Sequence, residues 1–110
     1  MRIAIPVLKG RLATNFKDFE QVTLLDTEKQ KITEKKHLTY PISQPWTLPI
    51  WFREHNVDLL IAGNMHERTI GLFQKAGIKV ITGAPPLSPE KVTEKYLLSL
   101  LIMEERENNC

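Results

Sequence analysis

A mixed α/β domain is what this sequence predicts, and three observations predict it. Two short apolar runs, Val57 to Gly63 and Ile78 to Gly83, flank a segment in which Ile70, Phe73 and Ala76 recur at every third position, giving the order strand, helix, strand. Neither run alternates with polar residues, the habit of parallel strands covered on both faces and joined by a crossover helix. A third apolar run, Arg2 to Val7, and two strand-like stretches around the polar turn Thr27 to Gln30 add a buried strand and an antiparallel hairpin. The expected architecture is a five-stranded mixed sheet with about three helices on its faces. The first, fourth and fifth strands are parallel neighbours, and the hairpin extends the sheet beyond the first.

Taken in order, Arg2 to Val7 is the central strand and ends at a proline, and Lys9-Gly10-Arg11 turns the chain. Leu12 to Phe19 has no clean period and reads as a loop that carries Phe16 and Phe19 inward. Gln21 to Asp26 and Lys31 to about Leu38 form the hairpin. Its lysines, dense between Lys29 and Lys36, suit a solvated strand that discourages edge pairing. From His37 to Trp46 the chain is a connection, because Pro41 and Pro45 deny it regular structure. A helix is expected from Thr47, a tolerable cap, with Pro49 in its first turn and Leu48, Trp51, Phe52 and His55 on its buried side. Asn56 takes the left-handed closing position.

In the central unit, Asn64 followed by Glu67 three residues later predicts a capping box, and Gly77 closes the helix. Ser88 caps a last helix whose first turn holds Pro89 and Glu90, and Val92, Tyr96, Leu100 and Met103 follow one face. The domain is expected over residues 1–103, followed by a polar tail from Glu104 to Cys110.

Composition excludes several function classes. The 110 residues make one domain, 42% hydrophobic and 25% charged, and the net charge of +2 gives no argument for nucleic acid. No apolar run reaches the roughly 20 residues needed to span a bilayer, and the N-terminus enters a strand directly. A cytoplasmic protein without membrane or nucleic-acid partners is expected. Cys110 is the only cysteine, so no thiolate cluster is encoded. No nucleophile–base pair, Gly-rich phosphate loop or HExxH-like arrangement occurs, and no catalysis is predicted.

Ligands of open parallel sheets collect beyond the carboxyl ends of the strands, which singles out the loop Gly63, Asn64, Met65, His66. Arg68, in the first turn of the following helix, is a cation at the wrong end of the dipole unless an anion answers it. It is read either as part of an anion pocket with the amides after Gly63 or as a salt bridge to Glu67 or Asp58. His37 and His55 are assigned to structure.

The residues Arg2-Ile3-Ala4-Ile5-Pro6-Val7, Phe16, Leu25-Asp26-Thr27, Leu48-Pro49-Ile50-Trp51-Phe52, Val57 to Met65, Arg68 and Ala76 to Ala84 together resemble the dinitrogenase iron-molybdenum cofactor biosynthesis family. The resemblance covers nearly the whole chain. It implies a ribonuclease-H-like fold and a small non-catalytic carrier of a metal cofactor, an iron-sulfur or molybdenum-containing cluster or an anion, exchanging cargo with cofactor donor or acceptor proteins. The expected cofactor-binding residues are Asn15, Phe16, Gly63, Asn64, Met65, His66 and Arg68.

Two departures mark this chain. Many members carry a histidine before the loop phenylalanine and a glycine after it, where Asn15 and Lys17 stand here, and an asparagine amide is a feeble ligand for a soft cluster. His66 replaces a usual glycine; it is either a displaced metal ligand with Met65 as a soft neighbour or an exposed loop residue. The fold name also suggests a nuclease, but Arg2 to Val7 offers no carboxylate for a metal pair. The alternative function is an interaction module with a vestigial site, in which Trp46 and Trp51 act as aromatic anchors.

Overall fold

The structure, a computed structural model, describes residues 1–39 and 47–108, with side chains as far as residue 99. Its strands are β1 (Arg2–Leu8), β2 (Arg11–Leu12), β3 (Gln21–Glu28), β4 (Lys31–Thr39), β5 (Leu59–Ile61) and β6 (Lys79–Ile81). Its helices are α1 (Leu48–Glu54), α2 (Glu67–Lys75) and α3 (Pro89–Asn108), and a 3-10 turn spans Phe16–Asp18. The strands run in the order β4-β3-β1-β5-β6, with β2 paired to β1 off that path. β1, β5 and β6 are parallel, and β3 and β4 form the antiparallel extension.

The five strands expected from the sequence are therefore six. The strand that escaped is β2, which pairs only Val7 with Leu12 and Leu8 with Arg11. Lys9 and Gly10 between them both have positive φ, 53° and 81°. Two left-handed residues make the tight turn whose twist suits a hairpin. The second hairpin uses the same device at Lys29 and Gln30, so β3 continues to Glu28, two residues beyond the expected end. The register of β3 with β4 then slips after Asp26, leaving Thr33 as an extra residue whose hydroxyl donates to the Asp26 carbonyl at 3.2 Å.

Pro6 does not end β1. The Arg2 carbonyl faces β5, accepting from the Asp58 amide at 2.9 Å, and the Pro6 carbonyl faces the same side, accepting from Ala13 at 2.9 Å. β5 is in register with Ile3 and Ala4 only, so the missing Pro6 N–H falls beyond that partner.

β1 is buried on both faces, and its alternation divides the core. Ala4, with Val22, Leu24, Leu60 and Ala62, lies beneath Phe52 of α1 and Phe73 of α2. Ile3, Ile5 and Val7, with Leu25, Leu59 and Ile61, meet Val92 of α3. Phe52 and Phe73 meet edge to face at 5.0 Å between ring centres, and Phe16 adds a second such contact with Phe73 at 5.7 Å.

The helix boundaries follow the sequence less closely than the core does. Thr47 already has helical angles and its side chain makes no capping bond; Pro49 fills the first turn, and Asn56 closes the segment at φ 59° as expected. Ser88 caps α3 through a bond from the Lys91 amide at 3.4 Å, and α3 continues past Met103 to Asn108. β4 runs on to Thr39 and so takes in the first three residues of the connection expected from His37 to Trp46, while residues 40–46 and Cys110 lie outside the described residues.

Candidate functional site

The carboxyl ends of β1 and β5 are joined by a small lattice of backbone bonds. Thr14, after β2, accepts from the Asn64 amide at 2.7 Å, and the Asn64 carbonyl accepts from the Phe16 amide at 2.9 Å. Asn15 and Asn64 thus form an isolated parallel bridge, and the Asn64 side-chain amide donates to the Asn15 oxygen at 3.4 Å. Gly63 permits this approach. A Cβ there would lie 2.3 Å from the Thr14 oxygen and 2.7 Å from the Ala13 oxygen, distances no side chain tolerates. The Gly63 carbonyl in turn accepts from Gly83 at 3.0 Å, tying in the chain after β6.

This lattice corrects the expected capping box. With both backbone groups of Asn64 engaged by the Thr14–Phe16 loop, α2 starts at Glu67, and His66 is its cap. The His66 Nδ1 accepts from the Arg68 amide at 3.3 Å. A neutral ring whose Nδ1 accepts carries its proton on Nε2, so the side of the imidazole turned away from the helix presents a donor and not a lone pair.

The seven residues expected at the site divide into two layers. Asn15, Asn64, His66 and Arg68 are exposed and Met65 is half-buried, while Phe16 and Gly63 are buried. Phe16, 6% exposed and packed on Phe73 and Phe19, wedges the loop from beneath and has no open surface for a ligand. Asp58, one of the acids considered for Arg68, precedes β5 and so lies at the opposite end of the sheet. It accepts from the Arg2 amide at 2.8 Å. Neither ion pair among the described residues, Arg2 with Asp26 or Lys35 with Glu90, involves Arg68.

The sequence reading missed Ala13 and Thr14, whose carbonyls receive the approach of β5. The signal for them was Gly63 itself, a glycine directly after a buried strand, where backbone contact is a standard reason for having no side chain. Of the interaction residues considered, Trp51 is half-buried, with its ring 4.4 Å from that of His55 and 5.5 Å from that of Phe52.

The donor set decides what the lip can hold. Among the described residues no three His, Cys, Asp or Glu side chains gather as a metal site would require. What the lip carries is an amide side chain on each of Asn15 and Asn64, the outward imidazole of His66, and the Arg68 guanidinium. Such groups suit an anion held by hydrogen bonds better than a bare cation held by coordination.

A mixed sheet between helical layers makes this a domain of the α/β class. Residues 1–99 match the family described as dinitrogenase iron-molybdenum cofactor, and the chain belongs to it. Among solved structures, that of PH0822 superposes with a TM-score of 0.83 at 20% identity, covering 90% of each chain. A candidate dinitrogenase from Methanocaldococcus jannaschii gives 0.74 at 16% identity, covering 90% of this chain and 89% of its own. The apo form of the orange protein from Desulfovibrio gigas gives 0.74 at 16% identity, with 89% and 88% covered. At these identities the likeness is one of fold. No curated protein matches the sequence. Among the described residues no helix is long and apolar enough to cross a membrane.

Proposed function

We propose that this chain is a non-catalytic carrier that takes up an anionic metal cofactor, cluster or oxyanion at the lip formed by Asn15 and Asn64 to Arg68. The observation that carries the reading is the Asn15–Asn64 bridge, which joins two loops far apart in sequence into one rigid, donor-bearing edge. Family membership supplies the class of cargo, and cofactor donor and acceptor proteins are the partners it implies. Phe16 and Gly63 belong to the site as its support, and His66 acts as a hydrogen-bond donor and not as a metal ligand. The ribonuclease-H-like relationship implied by the family carries no nuclease role, since β1 has no carboxylate between Arg2 and Leu8.

The test is anaerobic incubation of the protein with molybdate and with tetrathiomolybdate. Binding at the lip gives a new absorption band, a fixed metal-to-protein ratio and a raised melting temperature, and Arg68→Ala weakens all three together. Unchanged spectra, ratio and melting temperature with both anions would remove the proposal.

A further inference from the structure

The sheet ends at β4 on one side and at β6 on the other, and only β4 is blunted. β4 carries Lys31, Lys35 and Lys36 and a register slip at Thr33, devices that keep an edge from pairing. β6 has neither bulge nor proline. Its Lys79 amide donates to the Asp58 carbonyl and its Ile81 carbonyl accepts from the Ala62 amide, so both residues turn their backbone toward β5. By alternation the N–H and C=O groups of Val80 and Thr82 face outward along the free edge. A depression borders this edge on each face of the sheet. α3 packs over β1 to β4, and beside it lies a groove of about 250 Å³ bordered by Ile61, Ile81, Ala84, Pro85 and Tyr96, with Ile81 38% exposed. On the α2 face a second depression of about 440 Å³ is bordered by Gln74, Gly77, Ile78 and Val80. Lys95 also borders the first and Lys79 the second, and no carboxylate borders either.

We propose that β6 accepts an extended segment of a partner protein as an added strand, and that this segment alternates apolar with acidic residues. A strand laid along β6 sends successive side chains to opposite faces, so every second one enters the apolar groove and those between enter the depression bordered by Lys79. The outward backbone groups of Val80 and Thr82 supply the main-chain bonds. Charge identifies the occupant, since lysines border both depressions without an acid to answer them. A second copy joined edge to edge brings no acid, because residues 75–89 hold Lys75 and Lys79 and neither Asp nor Glu. None of these residues belongs to the lip at the strand ends, so the two proposals stand or fall independently.

Fluorescence anisotropy of the full chain with a blocked peptide of alternating glutamate and valine tests it. The peptide binds, its lysine and valine counterpart does not, and added salt weakens the complex. Hydrogen exchange shows the amides of Val80 and Thr82 slowed on binding. Methylating the peptide nitrogens at every second residue abolishes binding in one phase, where the lost N–H groups faced β6, and spares it in the other. Lys79→Glu and Ile81→Asp, both at exposed positions, each weaken binding about tenfold while circular dichroism shows the fold retained. Absence of binding by the glutamate peptide overturns the proposal, as does equal binding by the lysine peptide. So does a complex in which Val80 and Thr82 stay unprotected, or one that both methylation phases weaken alike. A doubled mass in sedimentation without peptide, lost in Ile81→Asp, gives the edge to a second copy and overturns the choice of occupant.

Discussion

Gly63 and Gly71 lie eight positions apart on the same unit, and a methyl group has opposite consequences at the two. At Gly63 it meets the carbonyl oxygens of Thr14 and Ala13, which are backbone and cannot swing aside. Gly63→Ala should therefore destabilise the protein by about 3 kcal/mol, the cost of forcing two paired segments apart, and should weaken anion uptake as well. At Gly71, in the middle of α2, an added Cβ meets nothing within 4 Å. Gly71→Ala should stabilise by about 0.5–1 kcal/mol through helix propensity alone. Urea denaturation of the two variants measures both, and equal effects would remove the close-approach account. His66 separates its two duties in the same way. Serine is a better cap than histidine, so His66→Ser should hold or raise stability, while the loss of the Nε2 donor should weaken tetrathiomolybdate binding. Binding that survives the change would take His66 out of the site.

Elements differed in how plainly the sequence announced them. In the unit β5-α2-β6, β5 was legible because it is buried on both faces and so reads as an unbroken apolar run, whereas β6 lies at the sheet edge with Lys79 and Ile81 exposed and was marked by Gly77, which closes the helix before it at φ 83°. β2 was not legible, since two residues carry no periodicity and its pairing depends on left-handed angles that Lys9 adopts without announcing them. The start of α2 was misplaced because the capping pattern at Asn64 is local, whereas the bond that Asn64 makes is to a loop forty-nine positions away. The lip at the strand ends was expected from strand order, but the division of its residues into an exposed set and a buried Phe16 required the packing of Phe73. Where β1 meets β3, a charge pair fastens one element to the next. The Arg2 Nε donates to Asp26 at 2.7 Å, and Arg2 also bonds the His55 carbonyl at 2.7 Å, binding the end of α1 to both strands. The bond from Arg2 holds the Asp26 carboxyl below its usual range. A depressed carboxyl contributes stability above the unfolded value, about 3.9, and loses it as pH falls through the folded one. Asp26→Asn should thus cost about 1 kcal/mol near neutrality, and the gap to the wild type should close with acidification below about pH 4. A gap that stays constant down to full protonation would show that the charge on Asp26 is not its source.

For the molecule as a whole, the Thr14–Phe16 and Gly63–Asn64 lattice is the point where the N-terminal strands and the central β5-α2-β6 unit are fastened at the carboxyl ends of β1 and β5. The register of β1 with β5 covers only two positions on each strand, so these loop bonds extend a short parallel contact toward the lip. A ligand that touches both loops therefore acts on the contact between two halves of the chain and not on one loop alone. By mass action, a ligand at one hundred times its dissociation constant adds about 2.7 kcal/mol to the folded state. That stabilisation should be concentrated where the halves join. Hydrogen exchange with and without tetrathiomolybdate should show the amides of Phe16 and Asn64, each bonded across this junction, slowed together. The amide of Thr27, bonded to Met1 at the far end of the sheet, provides the reference. If it slows as much as the other two, the ligand stabilises the fold without engaging the junction. If Asn64 slows while Phe16 does not, the ligand rests on the β5 loop alone, and the bridge to Asn15 takes no part in holding it.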